Sequence, residues 1–363
     1  MPRPLAAFIT IFCILIALVL LFSAAAIGAA VYFNAPPEAG PRVHIQDPSL
    51  RVEDSRSVVL EVRSGESARS VGNRLEEAGI IRSRYFWDLL ARSRKEYIKT
   101  GTYRLELPAS SVRLYSVLVS GKQLLLRVTI PEGNTLKKTA RILEEAGICS
   151  ASGFLAASED RRFIESLHIP AETLEGYLYP DTYLFPPDYP VQMVIKAMTD
   201  TFFSRLEGIY PAVFELSPEE IHRKLILASI VEREYRVGEE APIMAGIFFN
   251  RLEIGMALQS CATVEYVITE IQGRPHPEVL YTRDTEIRDP YNTYIRPGLP
   301  PGPISSPGAA ALKAAFEPER SDYLYFRLAD PETGRHYFSR TLDDHIRAGA
   351  LYVKSSPAGR PRN

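Results

Sequence analysis

A single glutamate on an apolar helix face is the first candidate for chemistry in this sequence. Glu232 lies in the run PEEIHRKLILASIVEREYRVG, from Pro218 to Gly238. At roughly 100° per residue, Glu232 falls within about 20° of Ile221 and Leu225. A carboxylate that loses solvation on such a face has a raised pKa, and near neutral pH it can hold the proton that a general acid donates. The alternative is a buried glutamate that pairs with an arginine from elsewhere in the fold.

The residues around Glu232 predict the helix that must position it. Ser217 can cap the N-terminus, Pro218 suits the first helical position, and Gly238 is expected to end the helix. Tyr235 falls on the apolar face, whereas Glu234 falls nearly opposite, on a more polar part of the helix.

Composition limits the classes of protein that this chain can belong to. It has 363 residues, of which 46% are hydrophobic and 24% charged, as in globular proteins, and the formal net charge of −2 argues against a nucleic-acid binder. Cys13, Cys149 and Cys261 show no CxxC spacing, so we expect free thiols. His345 stands without metal-ligand spacing, so we expect a structural histidine and no metal site.

The N-terminal run predicts a membrane anchor. Residues Leu5 to Phe33 carry no charge, and about 20 apolar residues span a bilayer. A cleavable signal peptide is the alternative, but its apolar core is shorter, at about 7–15 residues. Arg3 precedes the run and Glu38 follows it, which places the N-terminus in the cytoplasm and the body outside. We expect a cytoplasmic segment at 1–8, the anchor at 9–33, and a proline-rich linker at 34–56.

An internal repeat follows the linker. The segment from Leu60 to Ile80 matches the one from Arg127 to Ile148, and both end in LEEAGI. Each copy predicts a strand, a turn at Gly65 or Gly133, and an amphipathic helix. A helix, a strand and a further helix are expected between the copies. The resulting module, 57–125, resembles a LysM-like glycan-binding module; the alternative is a purely structural spacer.

Three tyrosines lie in the segment LEGYLYPDTYLF after the repeat. Tyr177, Tyr179 and Tyr183 could stack on sugar rings or form part of a semi-buried core, and their residue type favours the core. After the central helix we expect further helices, a hairpin around DPETG, and a long proline-rich loop from Thr269 to Ser306 that is stiff enough to form one wall of a substrate groove.

Several of these motifs carry a resemblance. In chain order they are LEGYLYPDTYLF, LILASIVEREY, FFNRLEIGMALQS, PYNTYIRPGLPPGPISSPG, and YLYFRL followed by HYFSRTLDDH. Together they resemble the endolytic transglycosylase family MltG (YceG-like) over roughly Val58 to Val353. The resemblance implies an α+β fold, with a single N-terminal transmembrane helix, the LysM-like module, a mixed α+β YceG-like catalytic domain at 126–353, and a disordered tail at 354–363.

The resemblance also implies a function. The family cuts peptidoglycan glycan strands internally, and its catalytic acid, the first Glu of ASIVExE, falls on Glu232. Lytic transglycosylases use the 6-hydroxyl of N-acetylmuramic acid (MurNAc) as an internal nucleophile, so one group serves as acid and then as base and no cofactor is needed. Implied partners are glycan strands, the cell (inner) membrane and peptidoglycan synthases, with the catalytic body extracytoplasmic.

Further site residues follow from the same motifs. Four residues are candidates to hold sugar hydroxyls and acetamides, and loop-fixing hydrogen bonds are the alternative role: Gln259, Asn292, Thr293 and Tyr294. Many family members have Asp-Pro after the LQ-S/T pair, whereas this chain has Cys261 and Ala262, so an Asp at this place is not available for catalysis.

Glu232 is expected to act alone. Glu234 and Glu239 are better explained as solvated charges or structural partners than as a second catalytic group. Two other functions stay open. One is a hydrolytic muramidase with the same acid but water as nucleophile. The other is a non-enzymatic tether that binds peptidoglycan and joins the cell wall to the membrane.

Overall fold

The first helix of the chain, α1 (Arg3–Asn34), contains the predicted anchor. Its stretch Phe8–Asn34 has a mean hydropathy of 2.9 and no buried residue, so it is long and apolar enough to cross a bilayer. The computed structural model describes residues 3–38, 40–41, 47, 49–54 and 56–355. The chain divides into two compact units, Met1–Leu125 and Leu126–Asn363.

The first unit follows α1 with a three-stranded sheet covered by helices. Its elements are β1 (Leu50–Asp54), β2 (Ser57–Val62), α2 (Ala68–Glu77), α3 (Arg84–Arg94), β3 (Gly101–Glu106) and α4 (Ser111–Ser120). The strand order is β1-β2-β3, and both pairs are antiparallel. Trp87, Tyr103 and Tyr115 are fully buried at the centre. The helix, strand and helix expected between the repeat copies are confirmed by α3, β3 and α4.

The segment predicted as a linker is partly folded. Its residues Leu50–Asp54 form β1, because Leu50 packs into the apolar core and the strand completes the edge of the sheet beside β2. At the other end of the segment, the side chain of Asn34 accepts a hydrogen bond from the backbone N–H of Val112 at 3.0 Å. This bond caps the first turn of α4 and ties it to the end of α1. Residues 39, 42–46, 48 and 55 of the predicted linker lie outside the described residues.

The second unit is mainly helical, with two antiparallel strand pairs. Its elements are β4 (Leu126–Thr129), α5 (Leu136–Glu145), α6 (Ala151–Ser158), α7 (Arg161–Ser166), β5 (Thr182–Phe185), α8 (Val191–Ile209), α9 (Pro218–Glu234), α10 (Ala241–Glu253), α11 (Cys261–Tyr266), α12 (Ala309–Phe316), β6 (Tyr325–Asp330), β7 (Arg335–Ser339) and α13 (Leu342–Ser355). β4 pairs with β5, and β6 with β7. The α+β fold class is confirmed. Of the predicted tail 354–363, residues 356–363 lie outside the described residues.

The two repeat copies form the same local structure, strand, turn and helix. Gly65 and Gly133 have φ of +74° and +72°, a conformation that favours glycine. Ser67 and Thr135 then cap α2 and α5 by accepting hydrogen bonds from backbone N–H groups three residues later. The module 57–125 as a glycan-binding domain, and the other functional domain boundaries, stay predictions.

Helix α9 runs through the core of the second unit. Every residue from Leu225 to Val231 is buried, and α10, α11 and α12 pack around the helix. Tyr177, Tyr179 and Tyr183 are at most 9% exposed, which confirms their core interpretation. The helix ends at Glu234, a turn earlier than predicted from Gly238, because Tyr235 has an extended backbone with ψ of 150°.

Candidate active site

The start of α9 is fixed by a reciprocal cap. The Ser217 hydroxyl accepts from the backbone N–H of Glu220 at 3.2 Å, and the Glu220 carboxylate accepts from the backbone N–H of Ser217 at 2.8 Å. With this end capped and the following turns buried, the last turn is held firmly. Glu232 lies on that last turn, half-buried, where the helix leaves the core.

Two hydrogen bonds hold the Glu232 carboxyl. The backbone N–H of Gly308 donates to Oε2 at 2.9 Å, and the Tyr235 hydroxyl donates to the same oxygen at 3.2 Å. The pKa of Glu232 is raised to about 7: burial is the largest influence and the charge of Glu132 acts in the same direction, while the two hydrogen bonds and Arg233 lower the pKa. Since both bonds end on Oε2, the proton of the neutral acid belongs on Oε1.

The segment that brings Gly308 to Glu232 is fastened to α9 one turn earlier. The backbone N–H of Ile304 donates to the Ser229 hydroxyl at 3.0 Å, and the Ser305 hydroxyl donates to the Ser229 carbonyl at 3.1 Å. All three of these residues are fully buried. The motif predicted as a groove wall, PISSPG, therefore lies against the helix that carries Glu232.

The loop between β4 and α5 reaches the same place. Gly133 N–H donates to the Ser306 carbonyl, and Ser306 N–H donates to the Asn134 carbonyl, both at 2.8 Å. This pair of bonds fastens the loop to the segment that ends in Gly308. It brings the exposed side chain of Glu132 to Gly308, so that a methyl group placed on that glycine would lie 1.9 Å from Glu132 Oε1.

Sequence reasoning missed Glu132, although the repeat offered a signal. When the two copies are aligned on LEEAGI, the residue before the turn glycine is Ser64 in the first and Glu132 in the second. A second carboxylate therefore lies near Glu232, and the expectation that Glu232 acts alone stays a prediction.

Glu234 is not the solvated residue that the helix wheel suggests. Its carboxylate accepts a hydrogen bond from the Ser260 hydroxyl, and burial raises its pKa. The Arg251 guanidinium, itself buried, lowers the pKa of Glu234 in turn. This environment fits the other expected role, that of a structural partner. Cys261 follows Ser260, and its Sγ lies 3.0 Å from the Tyr294 hydroxyl; all three cysteines are free thiols.

The four predicted sugar-binding residues lie in two different environments. Asn292 and Thr293 are buried, and their side chains are engaged within the protein: the Asn292 amide nitrogen donates to the Thr285 and Ile287 carbonyls at 2.9 and 2.8 Å, and the Thr293 hydroxyl accepts from Ser260 N–H at 3.1 Å. For these two, the contacts favour the loop-fixing alternative. Gln259 is exposed and Tyr294 half-buried, and their contact with sugar stays a prediction.

Asn292 offers a stability prediction. Replacing Asn292 by Ala removes both amide bonds and the one that its side-chain oxygen accepts from Tyr294 N–H at 3.0 Å, and two partly buried carbonyls lose their donor. We expect a loss of about 3 kcal/mol in the free energy of unfolding, measured by denaturant titration. Gln259→Ala, at an exposed position, is the control and should change it by less than about 0.5 kcal/mol. Equal effects of the two substitutions would contradict the loop-fixing role.

A further buried carboxyl was also missed. Glu175 is 3% exposed, and its two oxygens accept from the backbone N–H of Leu136, each at 3.1 Å, at the start of α5. The pKa of Glu175 is raised to about 8, chiefly by burial and also by the nearby charge of Glu270. Its neighbour Gly176 has φ of +84° and packs against Pro303. Glu175 therefore supports the start of α5, and Gly176 packs against the segment that leads to Gly308.

Glu175 makes the stability of the fold dependent on pH. Its folded pKa, about 8, lies above the ordinary 4.5, so its contribution is fully present below pH 4.5 and is lost as pH rises through 8. We expect Glu175→Gln to lose less stability than the wild type between pH 6 and 9, by an order of a few kcal/mol, in thermal melts across that range. Glu145→Gln, at an exposed position in α5, is the control. Parallel curves for wild type and Glu175→Gln would contradict this prediction.

Comparisons with known proteins agree with the order of the motifs. The profile of the YceG-like family matches residues 60–350. An endolytic murein transglycosylase of Bacillus subtilis (strain 168) is 30% identical over 321 residues, which cover 84% of this chain and 87% of that protein. One of Streptococcus pneumoniae (strain R6) is 29% identical over 338 residues; the match covers 84% of this chain but spans only 60% of that protein's length. A crystal structure of a yceG-like protein from Listeria monocytogenes, at 31% identity, superposes with a TM-score of 0.53 over 80% of this chain and 98% of that one.

Proposed function

Because the chain belongs to the YceG-like family, we propose that it is a lytic transglycosylase that cuts peptidoglycan glycan strands internally, with Glu232 as its acid. The relatives named endolytic murein transglycosylase support the activity and the substrate. The observation that carries the proposal is the state of Glu232: its pKa of about 7 leaves it protonated in a useful fraction at neutral pH, and its hydrogen bonds direct the proton to Oε1.

The proposed reaction balances with one carboxyl group. Glu232 gives its proton to the glycosidic oxygen between MurNAc and N-acetylglucosamine (GlcNAc), and the bond from the MurNAc anomeric carbon to that oxygen breaks. The MurNAc 6-hydroxyl then forms a bond to the anomeric carbon, and its proton passes to the Glu232 carboxylate. The products are a free GlcNAc hydroxyl and a 1,6-anhydro-MurNAc end, and the acid is restored. No water molecule is consumed and no cofactor takes part.

The proposed location follows from α1. We propose that this helix anchors the protein in the cell (inner) membrane as a single span, with the N-terminus cytoplasmic and the body outside, next to its substrate. Glycan strands are the proposed partner of the site. Peptidoglycan synthases, which supply new strands, are a further proposed partner.

A hydrolytic muramidase is the second candidate, because one observation favours it. Glu132 is a second carboxylate beside Glu232, and glycosidases that use water employ two carboxyl groups. Such an enzyme would leave a reducing MurNAc end instead of an anhydro end. The lytic reaction remains the better-supported proposal, because the curated relatives carry the name transglycosylase.

The experiment that tests the proposal is digestion of purified sacculi by the full-length protein and by Glu232→Gln. Mass spectrometry of the soluble fragments should show anhydro-MurNAc ends at internal cuts with the wild type and none with the variant. If neither protein releases fragments from the sacculi, the chain is instead a non-enzymatic tether between wall and membrane.

A further inference from the structure

Gly308 is contacted by two carboxyl groups from different parts of the second unit. Its N–H donates to Glu232 Oε2 at 2.9 Å, and the space at its Cα is filled by Glu132, whose Oε1 lies 1.9 Å from where a methyl group would be. Since the N and Cβ atoms of a residue lie about 2.5 Å apart, Glu232 Oε2 and Glu132 Oε1 are at most about 7 Å apart. A distance of this order is typical of the paired carboxyl groups of enzymes that cut glycosidic bonds.

The position of Glu132 is built into the fold. The hydrogen bonds between Gly133, Asn134 and Ser306 fix the loop that carries it. Gly133 also packs on the stem of Glu232, since a methyl group on this glycine would lie 3.7 Å from Glu232 Cγ. The loop and the end of α9 therefore form one surface that carries both acids.

No ion pair in the described part of the chain explains why a carboxylate stands at position 132. Among the residues that the structure describes, no lysine or arginine pairs with it. The cation next to the loop, Arg233, is used elsewhere, in an ion pair with Glu265 at 3.0 Å. An exposed, unpaired carboxylate is thus held beside the half-buried acid, where a bound sugar chain would meet both.

We propose that Glu132 is a second catalytic carboxylate, which stabilises the positive charge that develops at the MurNAc anomeric carbon while Glu232 protonates the glycosidic oxygen. This inference rests on the proposed function. Glu132 takes no part in proton transfer: the bond to the leaving oxygen breaks, the bond to the 6-hydroxyl oxygen forms, and both proton transfers involve Glu232 only. An ionised group facing the developing charge lowers the barrier most in a site from which bound sugar excludes water.

The electrostatic surroundings of Glu232 agree with this division of roles. The groups that act on its pKa are Glu132, Arg233, Tyr235 and the Gly308 N–H. Tyr179 also lies close, since its own pKa is raised by burial first and then by the charges of Glu132 and Glu232. Of the two charged side chains, Glu132 raises the pKa of Glu232 and Arg233 lowers it. Removing the Glu132 charge should therefore make Glu232 lose its proton at a lower pH, which moves the alkaline limb of the pH–rate profile.

The test is the pH dependence of turnover of the full-length protein on purified glycan strands, for Glu132→Gln, Glu132→Asp and the wild type. We expect Glu132→Gln to lower kcat about 100-fold with KM changed less than about threefold, and to move the alkaline limb to lower pH. Glu132→Asp, which keeps the charge, should recover part of the rate and the wild-type limb. The control is Glu145→Gln, an exposed glutamate on α5, which should change neither quantity.

Two outcomes would overturn the inference. One is a Glu132→Gln protein with wild-type kcat and limb. The other is a loss that appears only in KM or in thermal stability, which would make Glu132 a binding or structural residue. The proposed function has a separate test. It is contradicted if Glu232→Gln remains active, whatever kcat the Glu132 variants show.

Discussion

Replacing Glu232 by Gln should reduce turnover on glycan strands by about 1000-fold while leaving the fold intact. Glutamine can still accept the Gly308 N–H bond, so the segment that ends in Gly308 keeps its place, but it has no proton to give to the leaving oxygen. The measurement is release of soluble fragments under single-turnover conditions, with a thermal melt as a check on folding. Glu239→Gln, a mostly exposed glutamate just beyond α9, is the control and should leave turnover unchanged.

The pH dependence of the wild-type kcat is a second test of Glu232. A general acid must be protonated, and the Glu232 pKa is raised to about 7, so kcat should fall as pH rises through about 7. The Gln variant should lose this alkaline limb together with its activity. A variant that retains more than about a tenth of the wild-type rate would contradict the assignment of Glu232 as the acid.

Replacing Gly308 by Ala should reduce kcat about 100-fold without unfolding the protein. The backbone φ of this residue is −83°, which alanine adopts without strain, so the effect comes from space alone. The new methyl group would lie 1.9 Å from Glu132 Oε1 and 2.1 Å from its Cδ, which forces that side chain away and disturbs the N–H bond to Glu232. Because the displaced group is the end of a flexible side chain, folding is retained.

Gly238→Ala is the matched control. A methyl group on Gly238 meets nothing within 4 Å, so kcat and the thermal midpoint should both stay at their wild-type values. If Gly308→Ala also retains full activity, the close contact among Gly308, Glu132 and Glu232 has no catalytic importance. A large fall in its thermal midpoint would instead show that the residue is needed for folding.

The sequence was sufficient to predict where Glu232 lies on its helix, because those signals are local. Helical periodicity placed Glu232 among apolar residues, and Ser217 and Pro218 marked the start of its helix. The strands and helices of the repeat were predictable for the same reason, since turn glycines and caps act within a few residues. The end of α9 was not predictable from the sequence, because the helix stops at Tyr235, whose hydroxyl contacts Glu232 in the folded protein.

What the sequence could not predict depends on contacts between distant segments. Glu132 reaches the acid through bonds between its loop and Ser306, more than 170 positions later in the chain. Glu175 is buried because the start of α5 covers it, and Glu234 because Ser260 and Arg251 surround it. A helix wheel describes one helix and contains none of these neighbours, so it gave Glu234 a polar face that the fold removes.

The most direct measurement of the central claim is digestion of sacculi in water enriched in ¹⁸O, followed by mass spectrometry of the new MurNAc ends. If the 6-hydroxyl is the nucleophile, the fragments carry no ¹⁸O and are lighter than the reducing-end products by one water molecule. Reducing ends that carry ¹⁸O at the anomeric carbon would contradict the account and make the enzyme a hydrolytic muramidase.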